Sequence, residues 1–191
     1  AWYPGDTINA GIGQGYHLAT PMQLAASIAT LARRGIVIQP HVLKAIDGVD
    51  ITPVYEAPII LNNPKHWDMI FKGMFEVAKV PGGTAYKAFK DTSYTVAGKT
   101  GTAQIVGIAQ NAKYDLTKLS ERQRDHGLFV AFAPVENPQI AVAVIVENGN
   151  SGSGAAAPVA RQVLDAWLLG QTPVNTSNLP ADNDPVNNSD E

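Results

Sequence analysis

The sequence predicts an α+β fold in which an antiparallel sheet is sandwiched between helices. Two apolar runs of strand length, residues 128–133 and 140–147, are joined by a connection short enough for an antiparallel hairpin. Both runs are apolar on alternate and intervening positions, so both faces of the sheet should be covered. Helix signals lie on either side of the hairpin in sequence and supply the cover.

The elements follow in order. Ala1-Trp2-Tyr3-Pro4-Gly5-Asp6 has neither the charged start nor the apolar core of a signal peptide, and reads as the middle of a longer protein. Thr20-Pro21-Met22-Gln23 is a helix start: Thr20 caps, Pro21 suits the first helical position, and Gln23 closes a capping box. Leu24, Ile28 and Leu31 continue as a helical stripe, and Gly35 supplies the stop. Residues 36–61 read as extended and irregular. A second helix starts at Asn63-Pro64, with Trp67, Ile70, Phe71, Met74 and Val77 on one face, and ends at Pro81-Gly82-Gly83. Residues 94–106, rich in Thr and Val, have strand character. A last helix over residues 156–169 carries Val159, Val163, Leu164 and Trp167 on one side and should pack across the hairpin. Residues 172–191 have almost nothing to bury and read as a disordered polar tail.

Composition narrows the function. At 191 residues, 45% hydrophobic and 16% charged, the chain can bury a real core. Its net charge of -3 gives no electrostatic reason to expect nucleic acid. Cysteine is absent, which excludes disulfides, thiolate metal sites and a cysteine nucleophile. No run of about eighteen apolar residues is present to span a bilayer.

The chemistry concentrates in Ala97-Gly98-Lys99-Thr100-Gly101-Thr102-Ala103-Gln104. A cation between two glycines, with hydroxyls beside it, suits a strand edge that binds an acylated, carboxylate-bearing substrate. An isolated Lys99 would read as a surface lysine; Gly98 and Gly101 change that, because strand glycines mark close approach of another backbone. A phosphate-binding loop would need glycine where Ser93 stands, an apolar strand before it and a helix after it. Gly11-Ile12-Gly13-Gln14-Gly15 has its third glycine one place early for a dinucleotide fingerprint, and reads as a loop feeding the capped helix. His17, His41, His66 and His126 show no metal-ligand spacing. His126, crowded by Arg122, Arg124 and Asp125, reads as a loop ion pair.

Taken together, these residues resemble the penicillin-binding proteins, in particular the elongation-specific class B group. The resemblance rests on Tyr3-Pro4-Gly5-Asp6, Gly11 to Tyr16 with Ala19-Thr20-Pro21, Ala97 to Gln104, Glu121 to His126, Phe132-Ala133-Pro134 and Glu147-Asn148-Gly149. Of the three active-serine motifs S-x-x-K, S-D-N (relaxed to S-x-N) and K-T-G, only the third is present. No serine has Lys at +3 or Asn at +2. The resemblance therefore implies that residues 1–171 are the C-terminal portion of a transpeptidase domain, with nucleophile and general base upstream and this chain inactive alone.

The resemblance further implies a serine DD-transpeptidase/β-lactamase-like fold. The activity would be cross-linking of peptidoglycan stem peptides ending in D-Ala-D-Ala through a serine acyl-enzyme that β-lactams trap, with no cofactor. Lys99 would attract the terminal carboxylate and tune proton transfer, and the hydroxyls of Thr100 and Thr102 would bind that carboxylate. The Thr102 N–H would form half of the oxyanion hole, and Gly101 would let substrate lie against the strand. Gln104 and Tyr114 complete the substrate contacts. The connection over residues 107–125 would overhang the cleft, with Arg122 and Arg124 as further contacts. Strict alternation puts Lys99 and Thr100 on opposite faces, so a twist or kink near Gly98 is expected. The family implies the periplasmic face of the bacterial inner membrane, an anchor outside this chain, and a glycan-strand polymerase of the rod complex as partner. Rival readings are a serine carboxypeptidase or β-lactamase of the same superfamily, and a non-catalytic interaction module that keeps the fold.

Overall fold

A computed structural model describes residues 2–107 and 119–171. Tyr114 and the tail at residues 172–191 lie outside the described residues. Three antiparallel strands form the sheet in the order β3-β4-β5: Ala97–Ala103, His126–Ala133 and Ile140–Val146. Lys99 pairs with Val130 and Thr102 with Gly127, while Ala131 pairs with Val142. Alternate β4 side chains feed different cores. Phe129, Ala131 and Ala133 join one apolar cluster, and Phe132 with Val130 joins the other. Strand alternation places these clusters on opposite faces, so the expected double cover is present.

One face is covered by α2 (Pro21–Ala32) and α3 (Lys65–Lys79), whose Ile28, Ala32 and Phe71 pack around Ala97 and Phe132. The capping box that starts α2 has the expected reciprocal bonds, Gln23 N–H to Thr20 Oγ1 (3.2 Å) and Thr20 N–H to Gln23 Oε1 (2.8 Å). Ile70, expected on the buried face of α3, is 42% exposed; the face turns on Phe71 and Ala78 instead. Between α2 and α3, the short strands β1 (Ala45–Ile46) and β2 (Val49–Asp50) form a hairpin. Its turn residues Asp47 and Gly48 both take positive φ, the geometry an Asp-Gly pair favours.

The other face is covered by α4 (Tyr86–Phe89), a π-helical turn (Gly152–Ala156) and α5 (Ala157–Leu169). As expected, α5 packs across the hairpin. Of the four residues expected on its buried side, Leu164 faces the sheet, joined there by Ala157 and Ala160, whereas Val159, Val163 and Trp167 are exposed. Phe89 and Phe129 stack at 5.3 Å and occupy the space beneath, so small residues let the helix approach.

A polar network ties α5 to the segment entering β3. Tyr94 Oη donates to Asp165 Oδ1 (2.6 Å), and Arg161 donates to Asp165 Oδ2 (2.6 Å), Asp91 Oδ1 (2.8 Å) and the Ala88 carbonyl (2.9 Å). Burial, reinforced by the bond to Asp165, pushes the Tyr94 hydroxyl far above its ordinary range, so it stays a donor. Residues 94–96 are thus held by this network and by burial of Val96, and β3 starts at Ala97, later than the sequence suggests. Asp165→Ala leaves two donors without their shared acceptor. The expected loss is about 2–3 kcal/mol, read as a lowered denaturation midpoint at unchanged m-value.

Candidate active site

The site begins with a strand that has one free side. Among the described residues, β3 pairs with β4 alone. Main-chain groups of an antiparallel strand alternate between its two sides. Those of Thr100 and Thr102 face outward: the Thr100 carbonyl accepts from Lys99 Nζ (2.9 Å) and the Thr102 carbonyl from Gln14 Nε2 (2.8 Å). The edge therefore presents peptide groups to a chain laid beside it.

Lys99 and Thr100 leave β3 on opposite faces, yet both line one cavity of about 480 Å³, together with Gly101 and Thr102. No break interrupts the strand near Gly98. The flexible four-carbon stem of Lys99 brings its ammonium to the Thr100 carbonyl, so both residues reach the cavity without a break in the strand. Gly98 is needed for packing instead. A Cβ there would lie 2.6 Å from Phe129 Cζ and 2.9 Å from the Val130 carbonyl.

Three structures buttress this edge. Thr84, just after Pro81-Gly82-Gly83, brings its Oγ1 to 2.9 Å from Thr100 Oγ1. The turn at residues 150–153 lines the same cavity and packs behind Gly101, with Gly152 close against it. Gly11 to Gly15 forms the third support. Gly13 and Gly15 take left-handed φ of 80° and 70° and turn the loop so that Gln14 reaches Thr102. The loop follows α1 (Pro4–Gly11), a helix with no buried residue.

Past the strand, the Ile105 N–H donates to Asp125 Oδ1 (3.1 Å), which ends β3 at Ala103 rather than Val106. Asp125 is 6% exposed, and its carbonyl accepts the Asn150 N–H (2.8 Å), joining strand end, β4 and cavity turn. His126 does not stand in a loop: it opens β4, and its Nδ1 accepts the Asn148 N–H (2.9 Å). β4 starts before Leu128 because Gly127 leaves room for the Ser151 carbonyl, which a Cβ would meet at 2.4 Å.

The structure thus brings Lys99, Thr100, Gly101 and Thr102 to one cavity and places Gln104 in a neighbouring one. It does not bring Arg122 or Arg124 to the cavity that holds Lys99. Thr84, Gln14 and Asp125 were missed as site residues. The glycines preceding Thr84 and flanking Gln14 were the available signals, and they read only as a helix stop and a loop. An exposed cation, two hydroxyls and outward peptide groups along one edge can complement the carboxylate and backbone of an extended acyl-peptide.

The penicillin binding protein transpeptidase domain family matches residues 1–165. The peptidoglycan D,D-transpeptidase MrdA of Haemophilus influenzae is 44% identical over 185 residues, 94% of this chain and 28% of that protein. The protein of that name from Escherichia coli K12 is 45% identical over 189 residues, 97% and 29% respectively. Among solved structures, Pseudomonas aeruginosa PBP2 in complex with WCK 5153 gives a TM-score of 0.75 at 46% identity, over 94% of this chain and 38% of that one. Helicobacter pylori PBP2 in complex with MreC gives 0.70 at 31%, over 88% and 28%. The chain spans under a third of the length of these curated relatives. Its helix-covered antiparallel sheet is part of the serine transpeptidase/β-lactamase-like fold of these neighbours, and the chain belongs to the penicillin-binding protein transpeptidase domain family.

Proposed function

We propose that this chain is the substrate-edge portion of a peptidoglycan DD-transpeptidase that cross-links stem peptides during cell elongation. The observation that carries the reading is the open edge of β3, with Lys99, Thr100 and Thr102 around one cavity and outward peptide groups beside them. A stem peptide ending in D-Ala-D-Ala docks as an antiparallel strand. The Lys99 ammonium and the Thr100 and Thr102 hydroxyls take its terminal carboxylate. Gly101 leaves room for the peptide, and the Thr102 N–H stabilises the oxyanion of the scissile carbonyl. Gln104 contacts the peptide further along, and Tyr114 acts from the connection that follows.

The nucleophilic serine attacks the penultimate D-Ala carbonyl, the bond to the last D-Ala breaks, and an amine of a neighbouring stem resolves the ester. That serine and its general base belong to the S-x-x-K and S-x-N motifs, which this sequence lacks, so the chain alone does not turn over. Penicillins and other β-lactams acylate the same serine. The complete protein works at the periplasmic face of the inner membrane with a glycan-strand polymerase. Support comes from the relatives' name and from structural neighbours that include a PBP2–MreC complex and a peptidoglycan synthase complex.

The hydroxyl pair of Thr84 and Thr100 gives a test. One hydroxyl carries one proton, so a Thr100 that donates to the carboxylate must accept from Thr84. In the complete protein, Thr84→Val lowers the second-order rate of acylation by a fluorescent penicillin roughly 5-fold, the worth of one neutral hydrogen bond. Thr84→Ser restores it. A wild-type protein that takes up no penicillin contradicts the reading.

A further inference from the structure

The last residues that β3 and β4 pair are Ala103 and His126. The main-chain groups of Thr100 and Thr102 face the free side of β3, so by alternation the N–H groups of Gly101, Ala103 and Ile105 face β4. No β4 carbonyl is left for Ile105, because β4 begins at His126. The side chain of Asp125, a residue 6% exposed, takes that place: its Oδ1 accepts the Ile105 N–H at 3.1 Å. The ladder thus gains one rung past the end of β4. Beyond Thr102, the strand is anchored at Ala103 by pairing and at Ile105 by this carboxylate.

The main chain around the same residue holds another wall of the site. The Asp125 carbonyl accepts the Asn150 N–H (2.8 Å), the Arg124 carbonyl accepts from Asn148 Nδ2 (3.0 Å), and His126 Nδ1 accepts the Asn148 N–H (2.9 Å). Asn148 and Asn150 take left-handed φ of 57° and 62°, a conformation that residues other than glycine keep where their surroundings enforce it. Residues 150–153 of that turn line the cavity with Lys99, Thr100 and Thr102, whereas Asp125 does not line it. Two walls of the cavity are therefore held by one buried residue that stands outside it.

We infer that Asp125 is a positioning residue for acyl transfer, holding the end of β3 so that the Thr102 N–H stays aimed at the oxyanion. This role deepens the transpeptidase reading and rests on it. A misaimed donor loses transition-state stabilisation, while Lys99 and Thr100, nearer the start of the strand, still take the carboxylate. Stopped-flow acylation of the complete protein over a concentration series of a fluorescent penicillin separates the affinity of the non-covalent complex from the acylation rate constant. Asp125→Ala is expected to lower the rate constant roughly 30-fold and to leave the affinity within about 3-fold. Asp125→Asn keeps an oxygen acceptor and is expected to recover to within about 5-fold of the wild type. A role in stability alone would lower the denaturation midpoint without this split or this rescue. Should the alanine variant not fold, amide hydrogen exchange of the wild type reads the bond itself: the Ile105 N–H is expected to exchange at least about 10²-fold more slowly than a free peptide. An unchanged rate constant or a fall in affinity alone in Asp125→Ala, an asparagine variant as slow as the alanine one, or an unprotected Ile105 N–H overturns the role of Asp125. A wild-type protein that penicillin fails to label overturns the transpeptidase reading itself, and the role of Asp125 with it.

Discussion

Lys99→Ala lowers the second-order rate of penicillin acylation of the complete protein by roughly 10²–10³-fold, the range for loss of one preorganised charge-stabilising group. The ammonium sits at the open edge of β3 and bonds the Thr100 carbonyl, beside the hydroxyls proposed to hold the carboxylate. Its removal takes away the one cation lining that cavity among the described residues. Lys99→Arg recovers little, because a rigid planar fork does not reproduce the contact that the flexible stem makes with the Thr100 carbonyl. Rates by stopped-flow or gel labelling check both variants, and thermal unfolding near that of the wild type shows that the fold is intact. An alanine variant that acylates at the wild-type rate removes Lys99 from the mechanism.

Gly152→Ala is expected to lower stability strongly and to disturb the substrate edge with it. A Cβ there would lie 2.4 Å from the Leu128 carbonyl oxygen, 2.6 Å from that of Gly101 and 3.0 Å from Gly101 N. All three are backbone atoms of the sheet, so no side chain can rotate away. The turn at residues 152–156 must lift, or β3 must shift at Gly101. The cost is about 3 kcal/mol, the upper part of the overpacking range, and penicillin acylation falls with it because Gly101 lies at the proposed substrate edge. Gly154→Ala in the same turn is the control: its Cβ would meet only the Ser151 side chain, at ordinary van der Waals distances of 3.5 and 3.6 Å, and its effect stays within about 0.5 kcal/mol. Urea denaturation of both variants measures the difference. Equal midpoints would show that the turn is not wedged against the strand.

The parts of the fold that were legible are those encoded locally. Thr20 and Gln23 form their capping box within three residues, and the runs at 128–133 and 140–147 fold into the expected hairpin. What escaped depends on tertiary packing. On α5 the expected Leu164 is buried, but Val159, Val163 and Trp167, which the sequence offers as its other large apolar side chains, are exposed. Close approach over Phe129 instead favours Ala157 and Ala160. The helix α1 carries Pro4 in its first turn and Asp6 on the Tyr3 N–H, but no apolar stripe marks it.

The candidate site divides in the same way. Lys99 to Thr102 stood out because glycines bracket a cation in a strand. Gln14 and Thr84 are 88 and 16 residues from their partners Thr102 and Thr100, and nothing local signals those meetings. Asp125 was read as a charge beside His126, whereas its buried carboxylate holds the Ile105 N–H at the end of β3.

In the proposed transpeptidase this chain supplies the edge and another part of the protein supplies the nucleophile. Intact mass spectrometry of the complete protein after incubation with a penicillin, followed by peptide mapping of the adduct, tests it most directly. One penicilloyl group per molecule is expected, on a serine of an S-x-x-K motif outside these residues. An adduct on any residue of this chain, or no adduct, contradicts it.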